Sequence, residues 1–102
     1  MQGKTVLITP SGMVSTVVCD QPPTLEQFQA MVGGYIESVP MFDTYQGQDC
    51  VAFCNEEGKL KNFPFNEKAT RAWYNSAGLN LSDVLVGNVV IVMGDEEFME
   101  LV

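Results

Sequence analysis

The sequence predicts one α+β domain, with a mixed or mostly antiparallel sheet and two short helices in the order β-β-α-β-β-β-α-β. Short β-branched runs are separated by turn residues. Two segments carry apolar side chains at helical spacing, with capping residues at both ends. The 102 residues match one domain, and a 46% apolar content is enough for one core. No repeat or linker divides residues 1–102. We expect both helices to cover the same face of the sheet.

The first predicted elements are a hairpin and a helix. Residues 4–9 (KTVLIT) and 13–19 (MVSTVVC) are strand-like runs joined by a Pro-Ser-Gly turn. The helix begins at Thr24, because Gln27 follows at capping-box spacing, and it ends at Gly33, which suits a left-handed cap. The apolar residues of this helix fall on one stripe: Leu25, Phe28, Met31 and Val32.

The middle of the chain predicts three further strands. Residues 35–39 (YIESV) form one, and residues 49–54 (DCVAFC) form another that is apolar on both faces and therefore interior. Residues 41–48 between them are a loop. Residues 55–58 (NEEG) indicate a turn whose glycine adopts a positive φ, and residues 59–63 return as a short partner strand.

The last third of the chain predicts a second helix, a strand and one more helical turn. Asn66 is an N-cap for a helix that runs to about Ser76 and ends at Gly78. Residues 83–93 (DVLVGNVVIVM) are rich in β-branched side chains. Their Gly-Asn pair is either a bulge or a turn that opens an interior strand over 89–93. The apolar stripe of the second helix consists of Ala69, Ala72 and Trp73. The acidic tail, residues 95–102, carries the apolar residues Phe98 and Leu101 and is predicted to form one helical turn.

The charge balance restricts the class of partner. Thirteen acidic residues stand against five basic ones, which gives a net charge of −8. Nucleic-acid binders cluster lysine and arginine, whereas the basic residues here are scattered, so we expect no binding to DNA or RNA. A partner with a basic surface fits better, although net negative charge also serves solubility alone.

The absence of histidine excludes several kinds of catalytic and metal site. Without histidine there is no Ser-His-Asp or Cys-His nucleophile and no imidazole ligand. The cysteines are Cys19, Cys50 and Cys54, and their spacing contains no C-x-x-C motif, so we expect buried free thiols and no zinc or other cofactor. We predict no signal peptide and no membrane segment, which indicates a cytosolic protein with reduced thiols.

Two groups of residues are candidates for a binding site. If the strand at 35–39 lies beside the turn at 55–58, several polar side chains meet in one patch. This candidate patch comprises Tyr35, Glu37, Asn55, Glu56, Glu57 and Lys59. Phosphate-loop and EF-hand motifs do not match the spacing, and adjacent carboxylates in a turn are expected to be solvated. A weaker candidate is a stacking platform of Arg71, Trp73 and Tyr74, with Trp73 in the core as the alternative.

Three motifs in order resemble a known family. They are VGGYIESVP, CNEEGKLKNFPFN and LVGNVVIV, and the match runs over about residues 25–93. In this order and spacing they resemble DUF3846, a family of small phage and mobile-element domains. The resemblance implies a bacterial host cytoplasm and supplies no activity.

These observations favour a small non-enzymatic accessory protein that binds a host or phage protein with a basic surface. The alternative is a protein that binds or sequesters a nucleotide or metabolite. Exposed strand edges also predict possible self-association into a homo-oligomer. Whether residues 55–59 serve only the turn or also a partner is left open by the sequence.

Overall fold

The computed structural model describes residues 1–78 and 81–102, which contain seven strands and three helices. The strands are β1 (Gly3–Ile8), β2 (Val14–Cys19), β3 (Ile36–Ser38), β4 (Thr44–Tyr45), β5 (Gln48–Asp49), β6 (Val51–Asn55) and β7 (Val89–Gly94). The helices are α1 (Leu25–Val32), α2 (Glu67–Ala77) and α3 (Glu96–Glu100).

Five of the strands form one antiparallel sheet in the order β2-β1-β7-β6-β3. The predicted α+β class and mostly antiparallel sheet are therefore confirmed. β7 lies at the centre and buries its first five residues. β6 is also interior, as its apolar composition predicted. The predicted element order is wrong in two regions. β4 and β5 form a separate two-stranded sheet where residues 41–48 were expected to be a loop, and no strand forms over residues 56–66, between β6 and α2.

The helices cover both faces of the sheet, so the prediction that they share one face is wrong. On one face, Val89 and Ile91 belong to the same core as Trp73 of α2. On the other face, Val90 packs in a second core with Phe28 of α1. Successive side chains of a strand point to opposite faces, and β7 is apolar at every position up to Met93. Both faces therefore need a cover.

The N-terminal hairpin and α1 agree with the sequence prediction. β1 and β2 pair antiparallel, and the side chain of Thr24 accepts from the Gln27 N–H at 3.2 Å in a complete capping box. Gly33 ends the helix in the left-handed conformation with φ 78°. One apolar position was predicted wrongly: Leu25 is 60% exposed, because the buried face of this short helix is formed by Phe28 and Val32.

Asn66 connects α2 to the sheet as well as capping it. Its side-chain oxygen accepts from the Ala69 N–H at 3.0 Å, which confirms the predicted N-cap. Its amide nitrogen donates to the carbonyl oxygens of Ile8 at 3.0 Å and Gly87 at 2.8 Å. The side chain is fully buried with both polar atoms bonded, so it fixes the start of the helix against β1. The predicted end at Gly78 is also confirmed.

The predicted return strand at 59–63 does not form, and the predicted hairpin with β6 is wrong. β6 already pairs with β3 on one side and β7 on the other, so it has no edge left for a further strand. Residues 56–62 instead form successive turns, in which the Phe63 N–H donates to the Gly58 carbonyl at 2.9 Å. Gly58 does not have the predicted positive φ; within this segment Asn62 does, at 55°.

The segments around β7 settle two further predictions. Gly87 has φ 71° and precedes the strand, as the turn alternative predicted. The acidic tail forms α3, in which Phe98 is fully buried, whereas Leu101, the residue that follows the helix, is 61% exposed. The helices of the described residues are all too short or too polar to cross a membrane.

Candidate functional site

A small pocket opens where β3 and β6 meet the turns at 56–62 and the segment that leads into β7. Its volume is about 130 Å³. The floor is apolar and includes Val39, Trp73 and Leu85, all buried. The rim carries three carboxylates and one ammonium group, from Glu37, Glu56, Asp83 and Lys59, together with Leu60. We call this site the acidic pocket.

Glu37 reaches the acidic pocket from the middle of β3. It lies opposite Cys54 in the register of β3 and β6, and the Cys54 thiol donates to its carboxylate over 3.8 Å. Burial, with the negative charge of Glu37 as the next cause, raises the pKa of the Cys54 thiol to about 12. The thiol is therefore protonated at neutral pH and is a poor nucleophile.

Asn55 lines the acidic pocket, but its side chain is buried and bonded to the backbone of the protein. The side chain is only 4% exposed. Its amide nitrogen donates to the Val32 carbonyl at 3.1 Å, and its oxygen accepts from the Glu57 N–H at 2.8 Å. A Cβ at Gly34 would lie 2.8 Å from that amide nitrogen, so the second glycine of the Gly-Gly pair leaves room for Asn55. Asn55 therefore fixes the end of α1 and the first turn after β6, and its amide is not free for a ligand.

Lys59 and Asp83 form an ion pair on the rim. The hydrogen bond from Lys59, followed by one from the Val84 N–H, lowers the pKa of the Asp83 carboxyl. Asp83 was not predicted from the sequence. It stands far along the chain from Lys59, and no motif connects the two residues.

The structure brings four of the six predicted patch residues into the pocket. Glu37, Asn55, Glu56 and Lys59 line it. Tyr35 lies outside it, 65% exposed, although its carbonyl accepts from the Glu56 N–H at 3.0 Å. Glu57 also lies outside the pocket lining and approaches Lys61 at 3.9 Å.

The structure does not assemble the weaker candidate group into a stacking platform. Trp73 is 5% exposed, and its indole N–H donates to the Pro40 carbonyl at 2.7 Å, so the core alternative applies. The Tyr74 hydroxyl donates to the Asp83 carbonyl at 2.7 Å. Arg71 is bound at 2.7 Å to Glu67, one turn earlier on the same helix. Trp73 contributes to the acidic pocket as its floor.

The other thiols offer no reactive group next to this site. Burial, with Asp43 and Asp49 as the further causes, raises the pKa of Cys50 to about 11. Cys19, Cys50 and Cys54 are all free thiols. Among residues 1–78 and 81–102, no three cysteine or carboxylate side chains are grouped as metal ligands would be.

Exposed apolar side chains surround the carboxylates of the pocket. Leu60, on the rim, is 83% exposed, and Val84 beside Asp83 is exposed as well. Neither residue was expected at a site from the sequence, because leucine and valine carry no functional-group signal. The rim therefore combines exposed apolar side chains with negatively charged ones.

Residues 3–102 match the model of the DUF3846 family, which is described as a domain of unknown function. The chain belongs to the DUF3846 family. The match extends on both sides of the region predicted from the three motifs and confirms that resemblance. Comparisons with curated proteins and with solved structures find no match.

Proposed function

We propose that this DUF3846 protein is a non-enzymatic binding protein whose acidic pocket contacts a basic surface on a host or phage protein. The observation that carries the proposal is the rim of the pocket. Glu37, Glu56 and Asp83 line the pocket together with an exposed Leu60. Among the described residues of the lining, Lys59 carries the one ammonium group, and it is paired with Asp83.

The rim has the chemistry of an interface with a basic partner. Three carboxylates and one ammonium group leave a net negative potential, which attracts lysine and arginine side chains and speeds encounter. Leu60 and Val84, both exposed in the lining, supply apolar area that is lost from water on binding. Asn55 holds the underlying turn in place, so little conformational entropy is lost there on binding.

Binding is favoured over catalysis by the state of Cys54, the thiol that lines the acidic pocket, and of Cys50, the other buried thiol. The pKa values of Cys50 and Cys54, about 11 and 12, leave both protonated at neutral pH. A nucleophilic cysteine needs the opposite environment, with a lowered pKa. The pocket therefore offers carboxylates and apolar groups but no activated nucleophile.

The proposed setting is the bacterial cytoplasm of a phage host, where the protein acts as an accessory protein. Three free thiols support a reducing compartment. The phage association itself rests on the family resemblance.

A capture experiment with charge-matched variants tests the proposal. The double variant Glu37→Lys/Glu56→Lys reverses two charges on the rim of the acidic pocket. The control Glu26→Lys/Glu100→Lys reverses two exposed carboxylates elsewhere and has the same net charge. Each protein is immobilised and exposed to bacterial lysate at low and moderate salt, and captured proteins are identified by mass spectrometry.

We expect one or a few basic proteins to bind the wild type and the control and to be lost from the rim variant. Circular dichroism checks that each variant is folded. An identical set of captured proteins for both double variants, or no specific protein at either salt concentration, would overturn the proposal. A generic basic protein added as a probe measures binding by net charge alone, which both variants should weaken equally.

A second candidate function is the binding or sequestering of a small ligand, favoured by the apolar floor beneath the charged rim. The volume of about 130 Å³ is below the range of about 300–1,000 Å³ typical of ligand pockets, so a metabolite smaller than a nucleotide fits better. Trp73 is the only tryptophan and lies in the floor, so its fluorescence reports occupancy. Amine metabolites and nucleotides that change neither this fluorescence nor the melting temperature would exclude the candidate.

A further inference from the structure

β2 is an edge strand without the usual protection against pairing. It occupies one end of the sheet, and its side chains are exposed along nearly its whole length. Its residues, VSTVVC, include no charge and no proline, which are two of the features that natural edge strands use to prevent pairing. Val17 and Val18 point to opposite faces, and each is at least 60% exposed.

The backbone groups that point away from the sheet can be assigned from the hairpin. The Thr9 N–H donates to the Met13 carbonyl at 3.0 Å, so Met13 faces β1. The bonded positions alternate along an antiparallel pair, and the register of β1 and β2 is continuous through Cys19. The N–H and C=O groups of Val14, Thr16 and Val18 therefore point outward from the edge.

We propose that this edge binds a second copy of the chain, with the two β2 strands antiparallel about a twofold axis through Thr16. In this register Thr16 pairs with Thr16 of the second copy, and Val14 pairs with Val18 of the second copy. These are the residues whose backbone groups point outward, so each such pair can form two hydrogen bonds. The two sheets become one continuous ten-stranded sheet. This inference does not rest on the proposed function of the acidic pocket.

Charge complementarity at the ends of β2 supports this register. Asp20 follows Thr16 by the same number of residues as Gly12 precedes it, so it would lie beside the hairpin turn of the second copy. At that turn, the ammonium group of Lys68 donates to the Gly12 carbonyl at 3.0 Å. The described residues give Lys68 no carboxylate partner within its own chain. The twofold axis therefore places two Asp20 carboxylates near two Lys68 ammonium groups.

The absence of charge within β2 favours a second copy over a basic partner. A strand or surface rich in lysine would find no carboxylate between Val14 and Cys19. The same stretch is complementary to itself, because antiparallel pairing sets valine against valine and threonine against threonine. Twofold pairing of identical patches is the commonest way in which soluble proteins form dimers.

Sedimentation velocity and light scattering over a dilution series test the proposal. We expect the wild type to approach twice the chain mass of 11.2 kDa as concentration rises. Thr16→Pro removes an outward N–H at the twofold axis, a position where proline is compatible with an edge strand, and should abolish the dimer. A wild type that stays monomeric at every concentration, or a Thr16→Pro variant that still dimerises, would overturn the proposal.

A charge exchange tests the register and does not depend on the folding of the proline variant. Asp20→Lys alone and Lys68→Glu alone should each weaken dimerisation by about tenfold, because each brings like charges together across the interface. The double variant Asp20→Lys/Lys68→Glu should restore it. The control Lys61→Glu makes the same charge change beyond β6 and should leave dimerisation unchanged. A double variant no better than either single variant would contradict the register.

Discussion

The two edges of the five-stranded sheet differ in how they are protected. β3, at one edge, has only three residues, with Glu37 in the middle and Pro40 shortly after its end. β2, at the other edge, has six residues, no charge and no proline. A short, charged strand cannot readily add another strand, whereas a longer uncharged one can. The β3 edge, next to the acidic pocket, is therefore protected, whereas the β2 edge is available for pairing.

The difference extends to the contacts beneath each edge. Behind β3, the buried Asn55 bonds to the end of α1 and to the first turn after β6. β2 is held mainly by its pairing with β1, and its side chains remain largely in water. We therefore expect substitutions near β3 to change the stability of the fold and substitutions on β2 to change association.

The largest expected effect is at Asn55. Asn55→Ala leaves the Val32 carbonyl and the Glu57 N–H without their partner and should lower the free energy of unfolding by about 2–4 kcal/mol. Urea denaturation followed by circular dichroism measures it. The control Asn75→Ala, on the exposed face of α2, should stay within about 0.5 kcal/mol of the wild type. Equal losses for the two variants would contradict this account of the protected edge.

Gly34→Ala should cost about 1–3 kcal/mol, because the added methyl group crowds the Asn55 amide. The part of the cost that comes from this crowding should disappear when the same substitution is made in an Asn55→Ala background, whereas the backbone strain of an alanine at φ 159° remains. A double-mutant cycle from urea denaturation gives this coupling energy. Additive losses would mean that the crowding is not with Asn55.

Asp83 gives a smaller, pH-dependent effect. The hydrogen bond from Lys59 lowers the pKa of the folded-state carboxyl below its ordinary value of 3.8. The stabilisation from this carboxylate is therefore complete above pH 3.8 and is lost as the pH falls through the folded-state pKa. Asp83→Asn should lower stability by less than about 1 kcal/mol at neutral pH, because the pair is largely exposed. Thermal melts should show the difference from the wild type disappearing in acid.

Glu37→Gln should change thiol reactivity more than it changes stability. Removing the charge lowers the pKa of Cys54 from about 12, although burial, the larger cause, keeps this pKa above the ordinary thiol value of 9.0. Alkylation of Cys54 at alkaline pH, followed by mass spectrometry, should become faster in the variant. Cys50 is the internal control, since Asp43 and Asp49 supply its nearby charges and should leave its rate unchanged.

The smallest expected effect on stability is on β2. Val18 is 62% exposed, so Val18→Lys should change the free energy of unfolding of the monomer by less than about 0.5 kcal/mol. Urea denaturation at high dilution measures this without a contribution from association. A loss comparable to that of Asn55→Ala would mean that β2 is structurally constrained, and the contrast between the edges would fail.

Local sequence signals predicted the elements that depend on them. The capping box at Thr24, the N-cap at Asn66 and the β-branched run that becomes β7 were all correct, because each is encoded by neighbouring residues. The prediction of a return strand after β6 was wrong because both edges of β6 are already paired, one with β3 and the other with the distant β7. Only the sheet order shows that β6 has no unpaired edge.

The sequence predicted the part of the candidate site that comes from β3, from β6 and from the turn after β6. Glu37, Asn55, Glu56 and Lys59 share the pocket because β3 and β6 pair. Asp83 and the floor residue Leu85 arrive from a distant segment, and no local pattern could assign them. The burial of Asn55 could not be predicted either, because asparagine is common in turns whether its side chain faces water or a neighbouring helix.

The central position of β7 has a consequence for synthesis. The hairpin of β1 and β2 and the pair of β3 and β6 have no strand contact with each other until β7 is inserted between them. Since a ribosome releases the chain from its N-terminus, these two pairs of strands emerge before β7. Until β7 follows, the edges of β1 and β6 that pair with it remain unpaired. The five-stranded sheet therefore cannot be complete until residue 94, the last residue of β7, has left the exit tunnel.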